Sequence, residues 1–347
     1  MITRTANSTQ TATATPGTAP TATAATTTAP PATASPATSP PTTARRAAPD
    51  PSSETTPSPG TEIIDAHAHM WDLARTPQPW IDPDTMSAIA RDFSLEDLAE
   101  VRAENHIVGT VLVQSAHSAA ETEELCAAVD HTGVLGAVGW VDLTGDVPAQ
   151  LAELEIAHPG ALVGIRHLAH QDPDSRVLLS QAMRPGIRHL GQAGLVLDLI
   201  LRADQVPQAL TVADTHPSVT FVLDHLGNPP VLDTEAMATW RATVTELARR
   251  DNVVAKLSGL TMAADHEHWL PADLRPAVET ALAAFGPDRL LWGSDWPVVR
   301  VTGGAGRWLA AGTELTAGLS APERAAIYAG TARRVYDLGA PGGAAGA

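Results

Sequence analysis

Ile64-Asp65-Ala66-His67-Ala68-His69 is a short apolar run that carries an acid near its start and two imidazoles at its end. Residues two apart on a strand share a face, so His67 and His69 are expected on one side of it. An open doubly wound sheet would follow its first strand with a glycine-rich phosphate turn. Here the run ends in His-Ala-His instead. Seven similar runs follow at Ile107–Ser115, Val134–Leu143, Leu162–Leu168, Leu195–Leu201, Val219–Leu226, Val253–Leu260 and Leu290–Trp296. Helical segments separate them. Ser118 with Glu121 and Ser320 with Glu323 match the capping box, while Pro148, Pro271 and Pro322 stand near helix starts, where a missing N–H costs little. Strand and helix alternating eight times predicts a parallel sheet closed into a single (β/α)8 TIM-type barrel.

The barrel is expected over residues 61–340. Of the first 60 residues, 49 are Ala, Thr, Ser or Pro, too few large apolar groups to offset the entropy of ordering, so residues 1–60 read as a disordered tail and 341–347 as a flexible C-terminus. Beyond the tail stand 19 basic and 37 acidic residues. A globule this acidic repels phosphate backbones and anionic lipid, so the expected partner is a small-molecule substrate, not nucleic acid or membrane. Cys126 is the single cysteine, which rules out an intramolecular disulfide or a Cys-based zinc site. No charged start precedes an apolar core and no run approaches 18 apolar residues, so a cytoplasmic protein is expected. Nothing in the sequence names an oligomeric interface.

Active sites of such barrels lie at the carboxyl ends of the strands. Polar residues there are Asp65, His67, His69, Gln114, Asp142, Arg166, His167, Asp198, Asp224, His225, Lys256, Ser258, Ser294 and Asp295. Neutral imidazoles at His67 and His69 could polarise a carbonyl or hold a divalent ion. Asp295 follows Leu290-Leu291-Trp292-Gly293-Ser294, and a carboxylate in an apolar rim must be paired, bound to metal or used as a base. Gly293 would let another group approach closely. His225 shares parity with Leu223 and Phe221 and would face inward if those fill the barrel. Lys256 is the single lysine beside 21 arginines. Its compact ammonium suits a carboxylate partner or a substrate contact. Arg166 could clamp a substrate oxygen with its fork, or pair with Asp142 or Asp198. Gln114 ends the second strand, and Trp71 and Trp80 could stack on a sugar face. His266 and His268 read as a solvated loop pair.

Four ordered segments together resemble the amidohydrolase superfamily, closest to its sugar-lactonase branch of L-fuconolactonase, L-rhamnonolactonase and 2-pyrone-4,6-dicarboxylate lactonase. They are Ile64-Asp65-Ala66-His67-Ala68-His69-Met70-Trp71-Asp72, Leu223-Asp224-His225-Leu226-Gly227-Asn228-Pro229, Lys256-Leu257-Ser258-Gly259-Leu260 and Gly293-Ser294-Asp295-Trp296-Pro297. The resemblance implies a hydrolase that opens a small lactone, with Asp295 as general base. His67, His69 and His225 would polarise the carbonyl or, with Asp295, hold a metal. Arg166, Lys256, Trp71 and Gln114 would meet the substrate. Metal-dependent members of the superfamily usually place a histidine at the end of strand five, where this chain offers Asp198. The expected cofactor is therefore none, or one zinc or manganese ion. Competing readings are a metal-dependent amide or ester hydrolase, an aromatic-acid decarboxylase on the same barrel, and a barrel that binds a sugar acid without chemistry.

Overall fold

The computed structural model describes residues 62–129, 131 and 133–339; the expectations for residues 1–60 and 341–347 lie outside them. Among the described residues, eight strands pair in parallel and in sequence order. They are β1 (Ile64–Ala68), β2 (Gly109–Val113), β3 (Val134–Gly139), β4 (Leu162–His167), β5 (Val196–Leu199), β6 (Phe221–Leu223), β7 (Val253–Leu257) and β8 (Leu290–Trp292). Each falls inside one of the eight runs read from the sequence. The strands are shorter than the runs because the polar residues at their ends leave the ladder to form the site. Helices α1 (Leu95–Glu104), α2 (Ala119–Ala128), α3 (Val147–Ala157), α4 (Arg184–Gln192), α5 (Val206–Thr215), α6 (Thr234–Leu247) and α7 (Pro271–Phe285) occupy the crossovers, and α8 (Ala305–Leu315) comes after β8. Two short helices, α9 (Ala321–Ala325) and α10 (Thr331–Val335), follow. No described helix is long and apolar enough to cross a membrane.

Local chemistry accounts for the helix starts. Pro148, Pro271 and Pro322 occupy the first turns of α3, α7 and α9, as their missing N–H groups suggest. Ser320 and Glu323 form the full capping box at α9. At α2 only half of the expected box forms. Ser118 accepts from the Glu121 N–H, but the Glu121 carboxylate turns away to the Ser115 and Ala116 N–H groups, tying the end of β2 to the helix.

Two apolar layers follow from strand alternation. Ile64, Ala66, Val111, Val113, Val138, Val196, Val222, Val254 and Leu291 fill the barrel, and Ala332, Tyr336 and Leu338 from the C-terminal segment join them. The other faces, including Phe221 and Leu223, pack under the helices.

The ring closes between β1 and β8. Asp295 N–H donates to the His67 carbonyl at 2.8 Å and His69 N–H to the Trp296 carbonyl at 2.7 Å. Buried Asp65 seals the seam: its carboxylate accepts from Ser294 N–H at 2.8 Å, Ser294 Oγ–H at 2.5 Å and His67 N–H at 3.1 Å. Burial pushes the Asp65 carboxyl up to about 6, against the pull of those donors, so the seam is held by a carboxylate at neutral pH. Asp65→Ala would leave three buried donors unpaired. It is expected to cost about 3 kcal/mol or more of unfolding free energy, read by urea denaturation.

Candidate active site

His67 and His69 reach the interior through a break in β1. Ile64 and Ala66 face the barrel while Ala68 packs under the helices, and the β1–β2 register shifts between Asp65 and Ala68. This irregularity turns both imidazoles inward, as expected, although simple alternation after Ala66 would have sent them out.

His225 arrives by another route than the expected one. Phe221 and Leu223 lie in the outer layer, so parity sends Asp224 inward and His225 away. The chain corrects this by entering the left-handed region at His225 (φ 53°) and Leu226 (φ 53°), which swings the imidazole back over the barrel. Asp295 is also left-handed, at φ 60°. Gly293 and Gly259 make room for these groups: a Cβ on Gly293 would stand 2.7 Å from His67 Cβ, and one on Gly259 2.4 Å from His225 Nδ1.

The result is a cluster of four buried groups. His67, His225 and Asp295 each offer a ligand-type atom within 4.8 Å of the others'. His69 Nε2 lies 3.4 Å from Asp295 Oδ1, and His67 Nε2 lies 3.7 Å from the same oxygen. A carbonyl can only accept, so His69 Nδ1–H donates to the Val113 carbonyl at 2.7 Å, and Nε2 faces Asp295. His67 is held from both sides: its Nε2 lies 3.2 Å from Arg166 Nη1, and its Nδ1 lies 3.2 Å from Lys256 Nζ and 3.3 Å from Asp224 Oδ1. His225 Nδ1 meets Ser258 Oγ at 2.9 Å. Burial lowers the basicity of His225, and burial with the neighbouring Lys256 ammonium holds His67 well below the usual imidazole range, so both are neutral at physiological pH.

Beneath the imidazoles runs a buried ion network. Lys256, fully buried, lies 2.5 Å from Asp198, 3.0 Å from Asp224 and 3.2 Å from His67 Nδ1. Arg166 pairs with Asp224 at 3.0 Å, rather than with Asp142 or Asp198, and its Nη2 donates to the Gln114 carbonyl. Tyr336 OH donates to Asp198 at 3.0 Å. Burial pushes Asp224 up, but Lys256, His67 and Arg166 outweigh it and hold the carboxyl well below its ordinary value. Removing one member of such a network strands the other charge in the core, at a cost of about 3–5 kcal/mol.

The remaining predicted residues divide. Gln114 lies beside Arg166, its Nε2–H donating to the Arg166 carbonyl at 2.9 Å. Trp71 is 4 % exposed and wedged among Trp80, Phe93 and His69, with its Nε1–H on the Arg91 carbonyl, which leaves little ring face for a sugar. His268 is exposed and paired with Asp265, and His266 Nε2–H donates to the Met262 carbonyl, in keeping with a loop pair. Sequence reasoning gave no role to the loop after β2 or the one after β4. There His117 stacks between Trp140 and His167, at centroid distances of 5.6 and 4.3 Å, and His170 follows three residues later. The signal was the run Arg166-His167-Leu168-Ala169-His170, dense in chemistry just past a strand end.

A barrel with imidazoles on β1 and after β6 and an acid after β8 defines a class. The amidohydrolase family model matches residues 64–338, and the chain belongs to that family. An L-fucono-1,5-lactonase of Burkholderia ambifaria is 34% identical over 81% of this chain and 97% of its own length. Another L-fucono-1,5-lactonase, from Burkholderia multivorans, is 35% identical over 81% of this chain and 98% of its own. The crystal structure of an amidohydrolase from Burkholderia multivorans with bound zinc superposes with a TM-score of 0.75 at 32% identity, covering 80% of this chain and all of that one.

Gly259 (φ 62°) stands where a methyl group would also lie 3.0 Å from Asp295 Oδ2. Gly259→Ala is expected to displace His225 and Asp295 and to lower kcat/KM by about a hundredfold, with circular dichroism unchanged.

Proposed function

We propose that this lactonase opens the ring of a sugar-acid lactone by direct attack of water, with Asp295 as general base. The observation that carries the reading is the place of Asp295: its Oδ1 lies 3.4 Å from His69 Nε2 and 3.7 Å from His67 Nε2, in one buried cluster with His225. A water molecule held among these groups has a carboxylate beside it to take its proton. Asp295 takes one proton as the oxygen attacks the ring carbonyl. The positive charge of the Arg166 guanidinium and the Nε2–H of His225, whose ring is placed by the contact of Nδ1 with Ser258 Oγ, then stabilise the developing oxyanion. Such preorganised donors are worth roughly 10²–10³-fold each. When the ring C–O bond breaks, the proton on Asp295 passes to the leaving alkoxide, and the product is the open hydroxy acid. His67 buttresses Arg166, while Lys256 and Asp224 fix His67.

By donor type and reach, His67, His225 and Asp295 fit one divalent ion, the open three-ligand arrangement of catalytic zinc sites. Such an ion would polarise the carbonyl and acidify its bound water. Arg166, however, already places a positive charge 3.2 Å from His67 Nε2. That guanidinium supplies the electrophile at the same nitrogen, so the reaction as proposed needs no ion.

Two measurements test this. Asp295→Asn is expected to lower kcat on L-fucono-1,5-lactone at least about a thousandfold with its melting temperature intact; a variant retaining a tenth of the wild-type rate would remove the base assignment. Exhaustive chelation is expected to leave turnover within twofold. Loss of activity on chelation, restored by zinc, would instead favour the metal-dependent ester or amide hydrolase, a reading supported by the three-donor cluster.

A further inference from the structure

We propose that His170 is a specificity-determining residue, whose Nδ1–H donates to a hydroxyl or ring oxygen of the substrate beside Arg166. The proposal rests on the lactonase reading and extends it to the side of the site formed by β4 and its loop.

Three observations converge on this ring. First, its proton is placed: the Gln171 side-chain amide donates to His170 Nε2 at 3.2 Å, which leaves the hydrogen on Nδ1. Second, that Nδ1 is buried and has no hydrogen-bond partner among the described residues. A buried donor without an acceptor costs about 1–3 kcal/mol, and native proteins keep few of them without a use. Arg166 Nε is in the same condition, in a side chain that is 3 % exposed. Two unsatisfied donors at one end of β4 ask for an oxygen with free lone pairs, the group that a polyhydroxylated lactone carries at every ring position.

Third, the ring belongs to the catalytic face and is held there. The loop after β4 is pinned to the one after β5, because Arg202 Nη1 donates to the His170 carbonyl at 2.7 Å and buried Gln205 to the Ala169 carbonyl at 3.0 Å. The charges that act on the His170 ring include Arg166 and Asp224 of the site, and Arg202 of its own anchor. Burial first, then Arg166, lower its pKa to about 4. At neutral pH the ring is therefore an uncharged donor with a fixed tautomer, suited to selecting a neutral polyol.

Asparagine and glutamine separate this role from a packing role, because the Asn amide nitrogen falls near the place of imidazole Nδ1 and the Gln amide near that of Nε2. The test compares kcat/KM of wild type, His170→Asn, His170→Gln and His170→Phe on L-fucono-1,5-lactone and on δ-valerolactone, which has the ring ester but no hydroxyl groups. Asn is expected to stay within about threefold on the sugar lactone. Gln and Phe are expected to lose about ten- to a hundredfold there, chiefly through KM, the size of one lost hydrogen bond. On δ-valerolactone all four should agree within about threefold. Equal losses for Asn and Gln, a Phe variant as good as wild type on the sugar lactone, or the same loss on both lactones would each overturn the proposal. Melting curves identify a variant that fails to fold, and the Asn–Gln comparison then decides. A wild type that opens neither lactone would remove the lactonase reading and this role together, an outcome distinct from the other three.

Discussion

Asp65 joins the two ends of the barrel. Its carboxylate takes two hydrogen bonds from Ser294 and one from the His67 N–H, so the last strand is fixed to the first at the level where both leave the ladder. Three of the groups proposed to act stand one to four residues beyond that seam. His67 and His69 follow Asp65 on one side, and Asp295 follows Ser294 on the other. A parallel ring has no covalent reason to close at this point, and main-chain pairing between β1 and β8 is short. A buried carboxylate with three donors supplies both the energy and the register. The distance from Asp295 to its histidines is therefore a consequence of how the barrel is shut.

Below the imidazoles, electrostatics determine which groups can act. Two cations, Arg166 and Lys256, and two anions, Asp198 and Asp224, lie almost free of solvent within the barrel. Their charges cancel in pairs, which is the condition for burying them. The two cations face the two nitrogens of His67, at 3.2 Å each. A ring so flanked stays neutral and cannot swing. Asp198 stands on β5 and is committed to Lys256 and Tyr336. The fifth strand thus contributes charge balance to the site rather than a ligand.

Much of this was legible in the chain. The eight apolar runs, the Pro residues at helix starts and the polar strand ends are local signals, and each survived folding. Gly293 was legible too, as a place where another group comes close. Parity was less dependable. Counting from Phe221 and Leu223 gives the wrong inward set for β6, because a strand's two faces look alike when both are apolar, one lining the barrel and the other lying under helices. Trp71 illustrates the opposite difficulty: its place after the histidines suggested a sugar platform, but its neighbours enclose it. Which aromatic side chains are free is a property of the packed loop.

The sequence by itself determined the barrel, the strand ends and the residue types available there, since apolar periodicity and turn chemistry act over a few residues. Only the tertiary structure decided which nitrogen faces which charge. His67 meets Asp224, Arg166 and Lys256 from 99 to 189 positions away. No local pattern encodes such pairings. The left-handed turns at His225 and Asp295 belong to the same category, because neither residue favours that conformation alone. Both are held in it by surroundings that exist only once the ring has closed.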